Sequence, residues 1–397
     1  MAQATNAQNS LASRVSMGSD GGLVVLVGRG VGAYLCFGFA LHTTFGVLEF
    51  LRTLVFRRPW PNVELKQKRL SDGAPSAPEG EGHEVYQYDT PWNAYAAFKL
   101  LLALATGLLP VRLGIFTTCF MSNVFAMAAG ARLPKGSFLR RCAERQFAWG
   151  CKGLSMSCAC YAFEIYGAEH LKWVRKPGQH PIICPNHISL VEVFNLHWLT
   201  GGMSGVMAKS QLSIPFMSTC VGALDLVIID PKDPENKEKV KALIRKFTQN
   251  EAEGKIHPFS RAFTIYPEGV TSGQFGLWRF NLGAFEPGVT VLPCVQRFPY
   301  KHYNPGWVSN SKLNPGNDLP MMLLWCMSQF TIPYQVKFLP PWEPSDAELK
   351  DAALFANNMQ NYMAVQLGCK KTATSYKLLR EKDGPFDMKS KGVRKTD

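Results

Sequence analysis

Residues 181–192 read PIICPNHISLVE. Ile182, Ile183 and Cys184 have the character of a buried strand's end, and Leu190, Val191 and Val193 begin a helix-like apolar pattern. Asn186 and Ser189 offer side-chain caps at the corner between them. His187 therefore stands at a strand-to-helix turn, with the carboxylate of Glu192 five residues further on. In open α/β sheets the crevice outside the carboxyl ends of the strands is where ligands bind.

The sequence downstream of Gly150 repeats this texture. Short apolar runs at 181–184, 224–229, 262–266, 289–295 and 334–339 alternate with polar helical stretches. One of these, residues 234–254, is amphipathic and closes at Gly254. Such alternation predicts an α/β fold, a mostly parallel central sheet flanked by helices, over residues 151–370.

The chain on either side of this unit differs. Residues 1–20 are polar and are expected to be disordered. Residues 21–58, oily from Gly22 to Leu51 and followed by Arg57, Arg58 and Trp60, predict a membrane-anchor helix, since about 20 apolar residues span a bilayer. They lack the layout of a cleaved signal peptide, and a buried soluble helix is the competing reading. Residues 71–90 are rich in Pro, Gly and acids and predict a linker. Residues 91–150 predict a membrane-associated helical hairpin: the apolar run from Tyr95 to Gly130 is interrupted by Pro110 and Arg112. Two half-length helices meeting there would enter one leaflet and return, with Arg112 reaching headgroups. A single tilted span is the alternative. Residues 371–397 form a basic tail.

With 397 residues, 46% of them hydrophobic, and a net charge of +13, the chain attracts polyanionic partners. Nucleic acid is disfavoured as that partner, because no zinc-finger spacing, RNP-like motif or basic heptad segment is present. Cations dispersed among oily stretches suit a lipid bilayer better. The eleven cysteines contain no paired CxxC motifs, so no metal site is expected. Their odd number and lack of framework spacing favour a reducing, cytosol-facing compartment.

Two further corners lie downstream. Tyr266-Pro267-Glu268-Gly269 places a glutamate just past an apolar run, and Asn281 to Gly288 (NLGAFEPG) leads into VTVLPCV, with Arg279 nearby. Together with the NHISLVE corner, these blocks resemble the PlsC-like glycerolipid acyltransferase family, whose signature is H-x₄-D with glutamate tolerated at the last place. Residues 108–114, 207–217, 263–298 and 336–368 are similar to lysophosphatidylcholine and lysophosphatidylethanolamine acyltransferases, so the resemblance covers roughly residues 91–380.

What that resemblance implies is an acyl-CoA:lysophospholipid O-acyltransferase, with acyl-CoA as co-substrate and no other cofactor. His187 is then the general base and Glu192 its orienting partner. Glu268 and Gly269 belong to the block that positions the acceptor's phosphoglycerol part, and Lys209, Arg279 and Lys232 are candidate phosphate contacts. The chain departs from the family where Pro231 replaces an arginine, with Lys232 beside it, and where Asn281 replaces a lysine, with Arg279 two residues before. Those departures leave lysophosphatidate or glycerol-3-phosphate as an alternative acceptor, and a catalytically silent lipid-binding scaffold as an alternative of another class. The implied location is the endoplasmic reticulum membrane, with the catalytic domain facing the cytosol. Ser189 has no G-x-S-x-G elbow and reads as a cap rather than a nucleophile, and His197 reads as a core histidine.

Overall fold

The computed structural model describes residues 69–80, 94–134, 137–161, 163–174, 182–213, 217–230, 262–300, 303–307 and 319–373, with isolated helical residues between 235 and 244. The expected anchor at 21–58, most of the helix expected at 234–254, Lys232 and nearly all of the basic tail lie outside the described residues.

The strands, in chain order, are β1 (Phe163–Tyr166), β2 (Ile182–Pro185), β3 (Met203–Ala208), β4 (Val227–Ile229), β5 (Ala262–Thr264), β6 (Gly276–Leu277), β7 (Val291–Arg297), β8 (Tyr334–Phe338) and β9 (Lys370–Lys371). Seven of them form one sheet in the order β1-β8-β7-β2-β5-β3-β4, while β6 and β9 pair separately. Every pairing in the large sheet is parallel except β7 with β8. The expected mostly parallel sheet is therefore present.

β2 lies at the centre and is buried along its whole length, as a parallel strand covered on both faces must be. Its side chains alternate between two cores: Ile182 and Cys184 face one, Ile183 the other. β7 repeats the pattern, with Val291 and Val295 on the first face and Leu292 and Cys294 on the second.

The helices are α1 (Ala94–Ala105), α2 (Leu108–Arg132), α3 (Phe138–Ser157), α4 (Ala168–Val174), α5 (Val191–Thr200), α6 (Met217–Leu224), α7 (Leu319–Ser328), α8 (Asp346–Lys350) and α9 (Ala352–Leu367). α9 covers the first face through Phe355, Met359 and Met363. α5, α7 and the start of α2 cover the second through Val191, Leu196, Met322, Cys326, Leu108 and Leu109.

The hairpin differs from its expected form. The break falls at Thr106–Gly107, where Gly107 adopts φ +74°, a conformation that costs glycine no Cβ clash. Pro110 sits inside the first turn of α2, where its missing N–H would be unpaired in any case. The helices are thus unequal, 12 and 25 residues, and α2 packs along α3 through Met127, Phe147 and Cys151. Among the described residues α2 alone is long and apolar enough to cross a membrane, with a mean hydropathy of 1.4 over its best window, of which 17% is buried.

Arg112 does not reach outward. It is buried, and its guanidinium donates to Met327 O at 2.7 Å, to Phe330 O at 3.2 Å and to Gln329 O. A cation at the carbonyl end of α7 satisfies acceptors that the helix leaves orphaned. Arg112→Leu therefore strands buried carbonyls and costs about 3 kcal/mol, read as a lowered unfolding midpoint in detergent.

Residues 69–80 also depart from the linker expected there, because they pack on the domain. The Ala77 N–H donates to Asn361 Oδ1 at 2.9 Å, Asn361 Nδ2 donates to Pro75 O at 3.0 Å, and Gly80 N–H donates to Lys371 O at 2.7 Å. Arg69 Nε meets Glu348 Oε2 at 2.8 Å. These bonds satisfy the strap's backbone against α9 and β9, where a free linker would bond to water.

Candidate active site

Parallel strands deliver the segments that follow them to one edge of the sheet. His187 follows β2, Lys209 follows β3, Asp230 follows β4 and Glu268 follows β5. That these segments arrive at the same end of the sheet is a consequence of topology, not of sequence proximity.

His187 is fixed from several sides. Its Nδ1 lies 2.6 Å from Glu192 Oε1. The same carboxyl accepts from the Ile188 N–H at 2.9 Å and from the Ser189 N–H. Glu192, in the first turn of α5, thus fills the capping role expected of Ser189, whose hydroxyl accepts from Val191 N–H at 3.4 Å. Asn186 is no cap either. It exchanges bonds with Gln296 at the end of β7, donating to its carbonyl at 3.0 Å and accepting from its N–H at 2.7 Å. The histidine's own carbonyl accepts from Ser272 N–H at 2.8 Å, and Ile188 O accepts from Trp307 N–H at 2.8 Å. The Tyr266 ring lies against the imidazole, with centroids 4.2 Å apart and planes tilted by 34°.

The second nitrogen is left open. His187 Nε2 has no hydrogen-bonding partner among the described residues, and the side chain is 19% exposed where Glu192 is fully buried. Burial pushes the Glu192 carboxyl above the ordinary carboxylate range, opposed by His187 and by the two amide donors. Burial likewise holds the Tyr266 phenol well above its usual value, reinforced by the charge of Glu192, so the phenol stays neutral. An ionised Glu192 accepts the Nδ1 proton and leaves the Nε2 lone pair facing the open side, the arrangement a proton acceptor needs.

Glu268 lies under this loop. Its Oε1 accepts the His187 N–H at 2.8 Å and its Oε2 the Trp278 N–H at 3.0 Å. Burial pushes its carboxyl up to about 8, against the pull of those two donors. Gly269 follows with φ +71°, and a Cβ there would lie 2.8 Å from Asn281 Nδ2. Asn281 donates to Pro267 O at 3.0 Å and to Glu268 O at 3.3 Å, so it secures the turn's backbone.

Of the residues picked out in the sequence, His187, Glu192, Glu268 and Gly269 meet at one place. The cations do not join them. Lys209 is exposed and pairs with Asp230 at 3.1 Å. Arg279 is exposed and lines a cavity of about 240 Å³ with Phe280, Asn357 and Gln360, against α9. His197 is buried, accepts from Met203 N–H at 3.4 Å and meets the Phe147 ring edge-on, as a core histidine does. The bridges from Asn186 to Gln296 and from Ser272 and Trp307 to the histidine loop carry no local signal. Tyr266 stands within the YPEG corner, but nothing in that spacing foretells its stacking on His187.

Residues 162–297 match the family model described as Acyltransferase, bearing out the resemblance seen in the sequence. The lysophospholipid acyltransferase LPEAT2 of Arabidopsis thaliana is 24% identical over 77% of this chain and 54% of its own length. The lysophosphatidylcholine acyltransferase of Drosophila melanogaster is 28% identical over 71% of this chain and 53% of its own. Lysophosphatidylcholine acyltransferase 2B of Mus musculus reaches 31% over 42% of this chain and 30% of its own. The chain spans about half the length of the first two of these curated relatives. The solved structure of the 1-acyl-sn-glycerophosphate acyltransferase PlsC from Thermotoga maritima aligns with 70% of this chain and 97% of its own, at 13% identity and a TM-score of 0.38, too distant to place any residue here.

Proposed function

We propose, on the premise that residues 162–297 belong to the acyltransferase family, that this chain transfers an acyl group from coenzyme A to the free hydroxyl of a lysophospholipid. One observation carries the reading: His187 is anchored at Nδ1 by a buried carboxylate while Nε2 has no partner among the described residues.

Nε2 takes the proton of the lysophospholipid hydroxyl as its oxygen attacks the thioester carbonyl carbon. The tetrahedral adduct collapses, the carbon–sulfur bond breaks, and the imidazolium returns the proton to the departing thiolate. Glu192 stabilises that imidazolium and fixes the ring's tautomer. Attack is direct, with no acyl-enzyme. The family resemblance implies Glu268, Gly269, Lys209, Arg279 and, outside the described residues, Lys232 as residues that bind the acceptor. Of these, Lys209 and Arg279 retain exposed charge at or beside the strand ends and are the better candidates for reaching a phosphate.

The acceptor in this reading is choline- or ethanolamine-headed, and the names of the similar proteins support a lysophospholipid, in one case lysophosphatidylcholine. Such an acceptor is an amphiphile in a bilayer, so the domain works at a membrane surface, and we assign it to the cytosolic face of the endoplasmic reticulum. The test uses protein in nanodiscs, radiolabelled oleoyl-CoA and a panel of acceptors. Label entering phosphatidylcholine or phosphatidylethanolamine is the expected result. A strict demand for lysophosphatidate or glycerol-3-phosphate would overturn the acceptor assignment while keeping the reaction.

A further inference from the structure

We infer that Glu268 is a positioning residue, not an acceptor contact: its carboxyl ties the backbone of His187 to that of Trp278, so the base and the loop bearing Arg279 share one geometry. The inference rests on the proposed acyl transfer for its kinetic consequences only.

Both carboxyl oxygens are already committed. One accepts the His187 N–H at 2.8 Å, the other the Trp278 N–H at 3.0 Å, and the residue is only 2% exposed. At that burial each oxygen faces a backbone donor and not the solvent side where a ligand would arrive. Its own backbone is held in turn, since Asn281 donates to Glu268 O and Gly269 turns the chain immediately afterwards. β2, the corner after β5 and the loop after β6 are thereby joined at one side chain.

The chemistry explains why a carboxyl is needed there. Two converging N–H donors require two acceptor oxygens, which a carboxyl presents and which accept best when it is ionised. A carboxamide has one, and turns an NH₂ donor toward the other amide. A buried donor left unmatched carries its full desolvation cost. The base loop then shifts relative to the loop that begins at Trp278. A displacement of about 1 Å at a reacting group costs on the order of 10²-fold in rate.

Glu268→Gln, Glu268→Asp and the unaltered protein are compared in nanodiscs by kinetics and by amide hydrogen exchange. For Glu268→Gln the expected kcat falls by about 10²-fold with KM for the lysophospholipid within about threefold, because an unchanged KM marks unchanged ground-state binding. Exchange rises together in the peptides containing His187 and Trp278 while α9 keeps its protection. Glu268→Asp, one methylene shorter, reaches one amide and loosens one peptide more than the other. If Glu268→Gln fails to fold, Glu268→Asp decides on the same readouts. A rise in KM with kcat retained, or unchanged exchange at both peptides, would overturn the inference. Absence of acyl transfer in the unaltered protein would sink the proposed function alone, because the exchange measurement decides the tie without turnover.

Discussion

His187→Ala lowers kcat for acyl transfer by about 10²–10⁴-fold, while the protein still folds and still floats with lipid vesicles. The ring is partly exposed and its Nε2 has no partner among the described residues, so its removal leaves no buried donor stranded on that side. What is lost is the acceptor for the hydroxyl proton. A lysophospholipid hydroxyl is scarcely ionised at neutral pH, and without a positioned base its attack on the thioester relies on water. KM for acyl-CoA stays close to its original value, because the histidine contributes to the transition state more than to ground-state binding. A variant with undiminished turnover would remove His187 from the mechanism.

Glu192→Gln is expected to be nearly as damaging and to affect the fold as well. The carboxyl accepts three bonds, from His187 Nδ1 and from the amides of Ile188 and Ser189. A carboxamide cannot accept them all, and its NH₂ can donate to Nδ1 instead. Donation to Nδ1 favours the tautomer with the proton on Nε2, which is no longer a base. The expected loss in kcat is on the order of 10³–10⁴-fold, the scale seen when an orienting carboxylate is replaced by its amide in serine proteases. Thermal unfolding of the same variant reads the second effect, a lower midpoint from buried amides left poorly paired. Glu192→Asp separates the two, since the charge is kept and only the reach is shortened by one methylene. Recovery of much of the rate in Glu192→Asp is the expected outcome, and full activity in Glu192→Gln would rule out a tautomer-setting role.

Much of the sheet was legible because its central strands announce themselves. β2 and β7 are buried on both faces, and a continuous apolar run is what such a strand requires. β3 gave no such run. Its sequence, MSGVMA, contains Gly205, whose place is set by tertiary contact, since a Cβ there would lie 2.6 Å from Thr264 O. β1, FEIY, is short and only half buried at an edge of the sheet, so its pattern carries little signal.

The site divides along the same line. His187 and Glu192 are five residues apart, and their meeting follows from one strand-to-helix turn. Glu268 was picked out with them, but its bonds to His187 and Trp278 span three separate segments, and no local spacing reveals them. Arg112 gives the converse lesson. A lone cation in an oily run reads as a headgroup contact, and only the placement of α7 discloses that three backbone carbonyls await it.

The measurement that bears most directly on the proposed reaction is release of the coenzyme A thiol by the unaltered protein in nanodiscs, with and without lysophosphatidylcholine. Direct transfer from a base-activated hydroxyl predicts thiol release only when the acceptor is present, matched mole for mole by diacyl product. Release without acceptor, yielding free fatty acid, would contradict it, as would no release in either case from a folded protein that binds the bilayer.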